Sequence, residues 1–138
     1  MNMNYQELCN TTMEIVKECA TYIAEQHHNR DSWTVEAKGK HDFVTQVDKN
    51  AEKQLIDRLS KLLPEAGFIA EEGTATGRGE KHNWVIDPLD GTTNFIHGVF
   101  PFAISVALLE DDQPVVGVVH EIGLDETFYS WKDGGAWL

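Results

Sequence analysis

The sequence predicts an α+β domain in which two long helices pack on an antiparallel sheet. Three observations carry this. Apolar residues recur with a helical period from Tyr5 to about His27 and again from Val47 to Leu63, the pattern then changes to short strand-like runs, and turn chemistry joins the later runs directly. An alternating βαβ chain would interleave helical stretches among its strands, and this one segregates them.

The first element is a helix from Tyr5 to about His27. Its apolar face is Tyr5, Leu8, Cys9, Met13, Ile15 with Val16, Cys19, Ala20, Ile23 and Ala24, and the His27 and His28 pair suits the negative end of a helix dipole. Trp33 to Glu36 reads as a short strand, and "KGKHD" (38–42) as a polar turn. A second periodic run, Val47, Ala51, Leu55, Ile56, Leu59, Leu62 and Leu63, stops at Pro64, which places a second helix from about Thr45 to Leu63.

"GFIAEE" (67–72) and "HNWVIDP" (82–88) then read as buried strands, separated by a Gly-rich polar loop. "FAISVALLE", "PVVGVVHEI", "ETFYSWK" and "AWL" follow as strands linked by "DDQ", "GLD" and "DGG", an antiparallel meander. The 138 residues suit a single domain, with no repeats, low-complexity tracts or linkers.

Acids outnumber bases 23 to 11, a net charge of -12, so the basic stripe that nucleic acid or anionic lipid would require is missing. Any phosphate must be met through cations. No apolar run is long enough to span a bilayer and no basic-then-apolar leader opens the chain, so the expectation is a cytoplasmic protein. Cys9 and Cys19 agree with that: ten residues apart on one helix, they stand about 15 Å from each other, beyond disulfide reach.

The chemistry concentrates in "WVIDPLDGTTNF" (84–95). Pro88 restricts Asp87 to an extended backbone and fixes its own φ, so the segment can turn sharply and aim Asp87, Asp90 and a backbone carbonyl the same way. Oxygen donors of this kind suit Mg²⁺, which keeps positions open for water and phosphate. Gly91, Thr92 and Thr93 could begin a helical turn whose free amides receive a phosphate oxygen. Asp42 and Asp48 near the start of the second helix, and Glu71 with Glu72 at a strand end, are further acids able to converge there.

Each also has a plain structural explanation. Thr45 and Asp48 have capping-box spacing, Glu71 and Glu72 could be a solvated strand end, and Asp87 and Asp90 could simply form a turn. Trp84, Phe95, Phe100 and Phe102 read as core residues. Other acidic motifs fit worse: a calcium EF-hand counted from Asp87 would need a Glu where Gly98 stands, and the scattered His residues lack zinc spacing. An aspartyl-phosphate D-x-D pair is also absent, since Asp87 and Asp90 are three apart.

Together "DFVTQVDKNAE" (42–52), "GFIAEE" (67–72) and "WVIDPLDGTTNFIHGVFPFAISVAL" (84–108) resemble the inositol monophosphatase family of Mg²⁺-dependent, lithium-sensitive phosphatases. The resemblance implies the layered α/β sandwich shared with fructose-1,6-bisphosphatase. It implies that Glu71, Asp87 and the Leu89 carbonyl bind one Mg²⁺, that Asp87 and Asp90 share a second, and that Glu71 helps hold a third through water. Asp48 and Thr92 would orient the attacking water, the Gly91 and Thr92 amides would contact phosphate, and Lys38 corresponds to a family lysine near the site. The implied reaction is in-line attack by a metal-activated water on inositol monophosphate or a related sugar phosphate, with NADP and fructose bisphosphate as alternative substrates.

Family members are longer, and their C-terminal W-D-x-A-A-G motif has no equivalent in the closing "WKDGGAWL". The expectation is therefore an N-terminal portion of such a phosphatase, weak or inactive alone, or a non-catalytic metal-binding or assembly module. An uncovered apolar sheet face would favour a homo-oligomer.

Overall fold

The computed structural model describes residues 4–28, 39–70, 77–91, 94 and 101–138, with the side chains of 39–45 and of Ala70 left aside. Among the described residues two helices, α1 (Tyr5–His28) and α2 (Gly39–Leu62), precede six strands. These are β1 (Gly67–Ala70), β2 (His82–Asp90), β3 (Ala103–Glu110), β4 (Gln113–Glu121), β5 (Glu126–Trp131) and β6 (Gly135–Trp137). They form one sheet in the order β1-β2-β3-β4-β5-β6.

The start of α1 has a local cause. Asn4 accepts the Glu7 amide on its Oδ1 at 2.8 Å, and its own Nδ2 reaches back to the Glu7 carboxylate at 3.3 Å, so one short side chain satisfies an amide the helix itself cannot. From there Leu8, Cys9, Thr12, Ile15, Val16, Cys19, Ala20, Ile23 and His27 are buried along one face. Thr12 sits in that apolar stripe because its hydroxyl donates to the Leu8 carbonyl at 2.6 Å.

Both cysteines are buried free thiols: Cys9 donates to the Ser130 carbonyl and Cys19 to the Ala51 carbonyl, tying α1 to β5 and to α2. Burial pushes the Cys19 thiol up to about 12, so it packs as a small apolar group.

The second helix begins earlier than the sequence pattern indicates. Gly39–Asp42, read as a polar turn, are already helical, and the helix covers residues that carry no apolar period. Its end is where Pro64 requires it, with the Leu63 amide bonded to the Leu59 carbonyl and the Ala66 amide to that of Leu63. The short strand expected at Trp33–Glu36 and the position of Lys38 lie outside the described residues.

From β2 onward every pairing is antiparallel, as the turn chemistry requires. Asp111 and Asp112 both have positive φ, 51° and 65°, giving the two-residue hairpin whose twist matches its strands. The expected all-antiparallel sheet needs one correction, because β1 pairs with β2 in parallel. Adjacent strands pair antiparallel through a tight turn, whereas the stretch from 71 to 81 is long enough to bring the chain back to the same end. Gly67 makes this possible, since a β-carbon there would lie 2.1 Å from the Gly79 amide nitrogen. Asn83 completes the junction, accepting the Gly79 amide and donating to its carbonyl.

Both helices lie on one face of the sheet. Their buried faces meet Trp84, Ile86, Phe102, Ile104, Val106, Leu108, Val116 and Val118 in a continuous core. The tip of the sheet is pinned by Glu110, which accepts from the Tyr5 hydroxyl at 2.7 Å and lies 2.9 Å from His82 Nε2; these two bonds hold the Glu110 carboxyl below its usual range.

Candidate metal and phosphate site

Along a regular strand, residues three apart point to opposite faces, so Asp87 and Asp90 ought to diverge. The register of β2 against β3 removes that difficulty. Asp87 stands opposite Ser105 and Asp90 opposite Ala103, so three steps along β2 match two along β3. One extra residue is absorbed as a β-bulge, and both acids fall on the same side of the sheet.

Burial follows the same geometry: Pro88 and Leu89 are consecutive buried residues between half-buried Asp87 and exposed Asp90. Leu89 joins the core at 3% exposure, anchoring the bulge from the helix side. In place of the sharp turn expected at DPLD, the structure keeps Asp87 to Asp90 inside β2 with a bulge between them. Pro88 is compatible with this because a bulge is one of the sheet positions that dispenses with an amide donor.

Gly91 closes the strand with φ of 91°, a conformation in which a side chain is strained. A β-carbon there would also lie 2.9 Å from the Pro101 carbonyl oxygen, so glycine is required twice over. Three residues on, Asn94 is helical, and its Nδ2 donates to the same Pro101 carbonyl at 2.8 Å. Glu71, Glu72, Thr92 and Thr93 lie outside the described residues, as does Lys38, and the side chain of Asp42 is not described.

Asp48 comes from α2, which packs against β2, and it is 7% exposed. One helical turn further, Glu52 is fully buried, a residue that the sequence reading did not single out. A signal was available: Asp48 and Glu52 are four apart and stand immediately beside the apolar row Val47, Ala51, Leu55 and Leu59, which places them on the inward face. Two carboxyl groups brought inside a helix layer need polar company, and both have interactions within the fold.

Among the described residues no three His, Cys, Asp or Glu side chains gather closely enough to enclose a cation. The donors that the bulge does bring to one face, Asp87 and Asp90, are carboxylates, and an all-oxygen set of this kind fits a hard cation rather than zinc. No helix among the described residues is long and apolar enough to cross a membrane.

Comparison with known proteins gives a consistent result. The model of the inositol monophosphatase family matches residues 4–138. An inositol-1-monophosphatase of Mesorhizobium japonicum is 36% identical over 132 residues, covering 95% of this chain and 50% of the relative. A fructose-1,6-bisphosphatase/inositol-1-monophosphatase of Thermotoga maritima is 41% identical over 100 residues, covering 72% of this chain and 38% of that protein.

Among solved structures, extragenic suppressor protein suhB from Bartonella henselae superposes with a TM-score of 0.79 at 32% identity, over 94% of this chain and 50% of that one. The chain thus spans about half the length of the first of these relatives. Two helices on one face of a mixed sheet, the DPLDGT segment at the end of β2 and a family match running from residue 4 to residue 138 place this chain in the inositol monophosphatase family.

Proposed function

We propose that the chain is the N-terminal part of a Mg²⁺-dependent phosphomonoesterase acting on inositol monophosphate or a related sugar phosphate. The observation that carries this is the bulge in β2, which turns two acids three residues apart toward one side within a segment shared with the family. Asp87, Asp90 and the Leu89 carbonyl would hold metal together with Glu71. Mg²⁺ bound there would supply Lewis acidity and offset the negative charge of a phosphoryl group and of the surrounding acids.

The rest belongs to the chain's own groups. Asp48, with Thr92, orients the attacking water and receives its proton, while Glu71 shares in holding that water. The amides of Gly91 and Thr92 fix the phosphate oxygens, and Glu72, Thr93 and Lys38 border the site. Fructose 1,6-bisphosphate and NADP are the alternative substrates, the former supported by the name of the Thermotoga maritima relative. Lithium sensitivity and a cytoplasmic location belong to the same proposal. So does self-association of two copies through the open sheet face, where a groove lined by Ser105, Ala107, Gly117, Phe128 and Trp137 has no charged side chain.

Calorimetric titration of Mg²⁺ into the wild type and Asp90→Asn tests the metal assignment. A loss of about tenfold or more in affinity is expected, and equal affinities in the two proteins would refute it. A second reading is a metal-binding module without turnover. Phosphate release from inositol monophosphate separates the two.

A further inference from the structure

The β2 end and the segment that enters β3 are held together more tightly than strand pairing alone demands. The Pro101 carbonyl oxygen lies 2.9 Å, and Phe102 Cα 3.2 Å, from where a Gly91 β-carbon would be, so the space beside Gly91 is filled by this backbone. The 101–102 segment is itself anchored from several directions. Phe102 is 1% exposed, and its ring centroid is 4.8 Å from that of His27 in the last turn of α1. Its carbonyl accepts the Ile122 amide at 3.1 Å. The Pro101 carbonyl in turn accepts the Asn94 side-chain amide at 2.8 Å.

We propose that Asn94 is a positioning residue for phosphate: by holding the Pro101 carbonyl it keeps the 101–102 backbone against Gly91 and so preserves the left-handed Gly91 peptide. The physical basis is that glycine populates positive and negative φ almost equally. Gly91 therefore needs something outside itself to select φ of 91°, and in this scheme the neighbouring backbone of Pro101 and Phe102 does so. Asn94 touches neither phosphate nor metal in this scheme and acts through the backbone. It also suits the task chemically, because an amide donates to a carbonyl oxygen where an aspartate would place one acceptor against another.

The inference rests on the proposed phosphate role of the Gly91 amide, and the experiment distinguishes the two. Wild type, Asn94→Ala and Asn94→Gln are compared by amide NMR and by titration with Mg²⁺ alone, then with inorganic phosphate at saturating Mg²⁺. In Asn94→Ala the Gly91 amide resonance is expected to move before any phosphate is added. Phosphate affinity then falls about three- to tenfold, the scale of one hydrogen bond, while Mg²⁺ affinity stays within about twofold.

Asn94→Gln, which keeps the donor one methylene further out, recovers more than half of the loss. The inference is overturned by a Gly91 resonance and phosphate affinity in Asn94→Ala that match the wild type. A parallel fall in Mg²⁺ affinity overturns it too, since that would mean general loosening. If neither Mg²⁺ nor phosphate perturbs the wild type, the phosphatase proposal has failed, and the inference falls with it even though Gly91 responds to the substitution.

Discussion

The two faces of the sheet are made by the same strands and have opposite fates. On the helix side Trp84, Ile104, Leu108 and Val118 are at most 1% exposed; on the other side Val85 is 37%, Val119 40% and Phe128 46% exposed. Alternation along each strand sends neighbouring residues to different environments, so identical side-chain chemistry contributes very differently. Valine shows this within one strand, where Val118 and Val119 are one peptide apart.

Truncating one large aromatic on each face tests this contrast most strongly. Trp84→Ala leaves a cavity under both helices and is expected to cost about 3–5 kcal/mol, whereas Phe128→Ala should cost less than about 1 kcal/mol, both read from urea unfolding. Equal losses would mean that the open face is covered in solution.

A smaller effect comes from the titratable group on the covered face. His120 is 2% exposed, with Nδ1 2.8 Å from Thr127 Oγ1 and Nε2 3.3 Å from Asp125 Oδ1. Burial holds its pKa below 6.5 despite the opposing pull of Asp125 and Glu121, and Lys17 on α1 adds to the depression. The unfolded chain therefore binds this proton more readily than the folded one. Stability due to the neutral ring is complete above 6.5 and is lost as pH falls through the interval down to the lower folded value. Urea midpoints measured as pH falls from about 7 to about 5 should decline less steeply in His120→Phe than in the wild type.

The smallest expected stability change is Val119→Lys on the open face, within about 0.5 kcal/mol of wild type. Light scattering should nevertheless show less self-association, because a cation now interrupts an uncharged surface. A monomeric wild type at high concentration would remove the oligomer from the proposal.

Much of this architecture was legible because it is encoded locally. The stripe from Leu8 to Ile23, the stop at Pro64 and the aspartates between strands each act within a few residues. What was missed depends on contacts between distant segments. The parallel pairing of β1 depends on the backbone fit of Gly67 to Gly79, which no period reveals. The residues from Gly39 to Asp42 read as a turn for their polarity, yet propensity is weak beside a helix already anchored on the sheet.

At the site, DPLD reads as a sharp turn, and the bulge found there instead is a property of the register with β3. Glu52 illustrates the converse: a charged residue in an apolar stripe looks like an interruption until packing shows that it is inside.

The spatial sequence of the strands repeats their order along the polypeptide, β1 through β6, with no strand inserted between earlier neighbours. A ribosome releasing this chain can therefore add each new strand to a growing margin without opening a seam already closed. Progressive shortening from the C-terminus would likewise peel strands off one margin, so successive truncations should lose protection from proteases in steps.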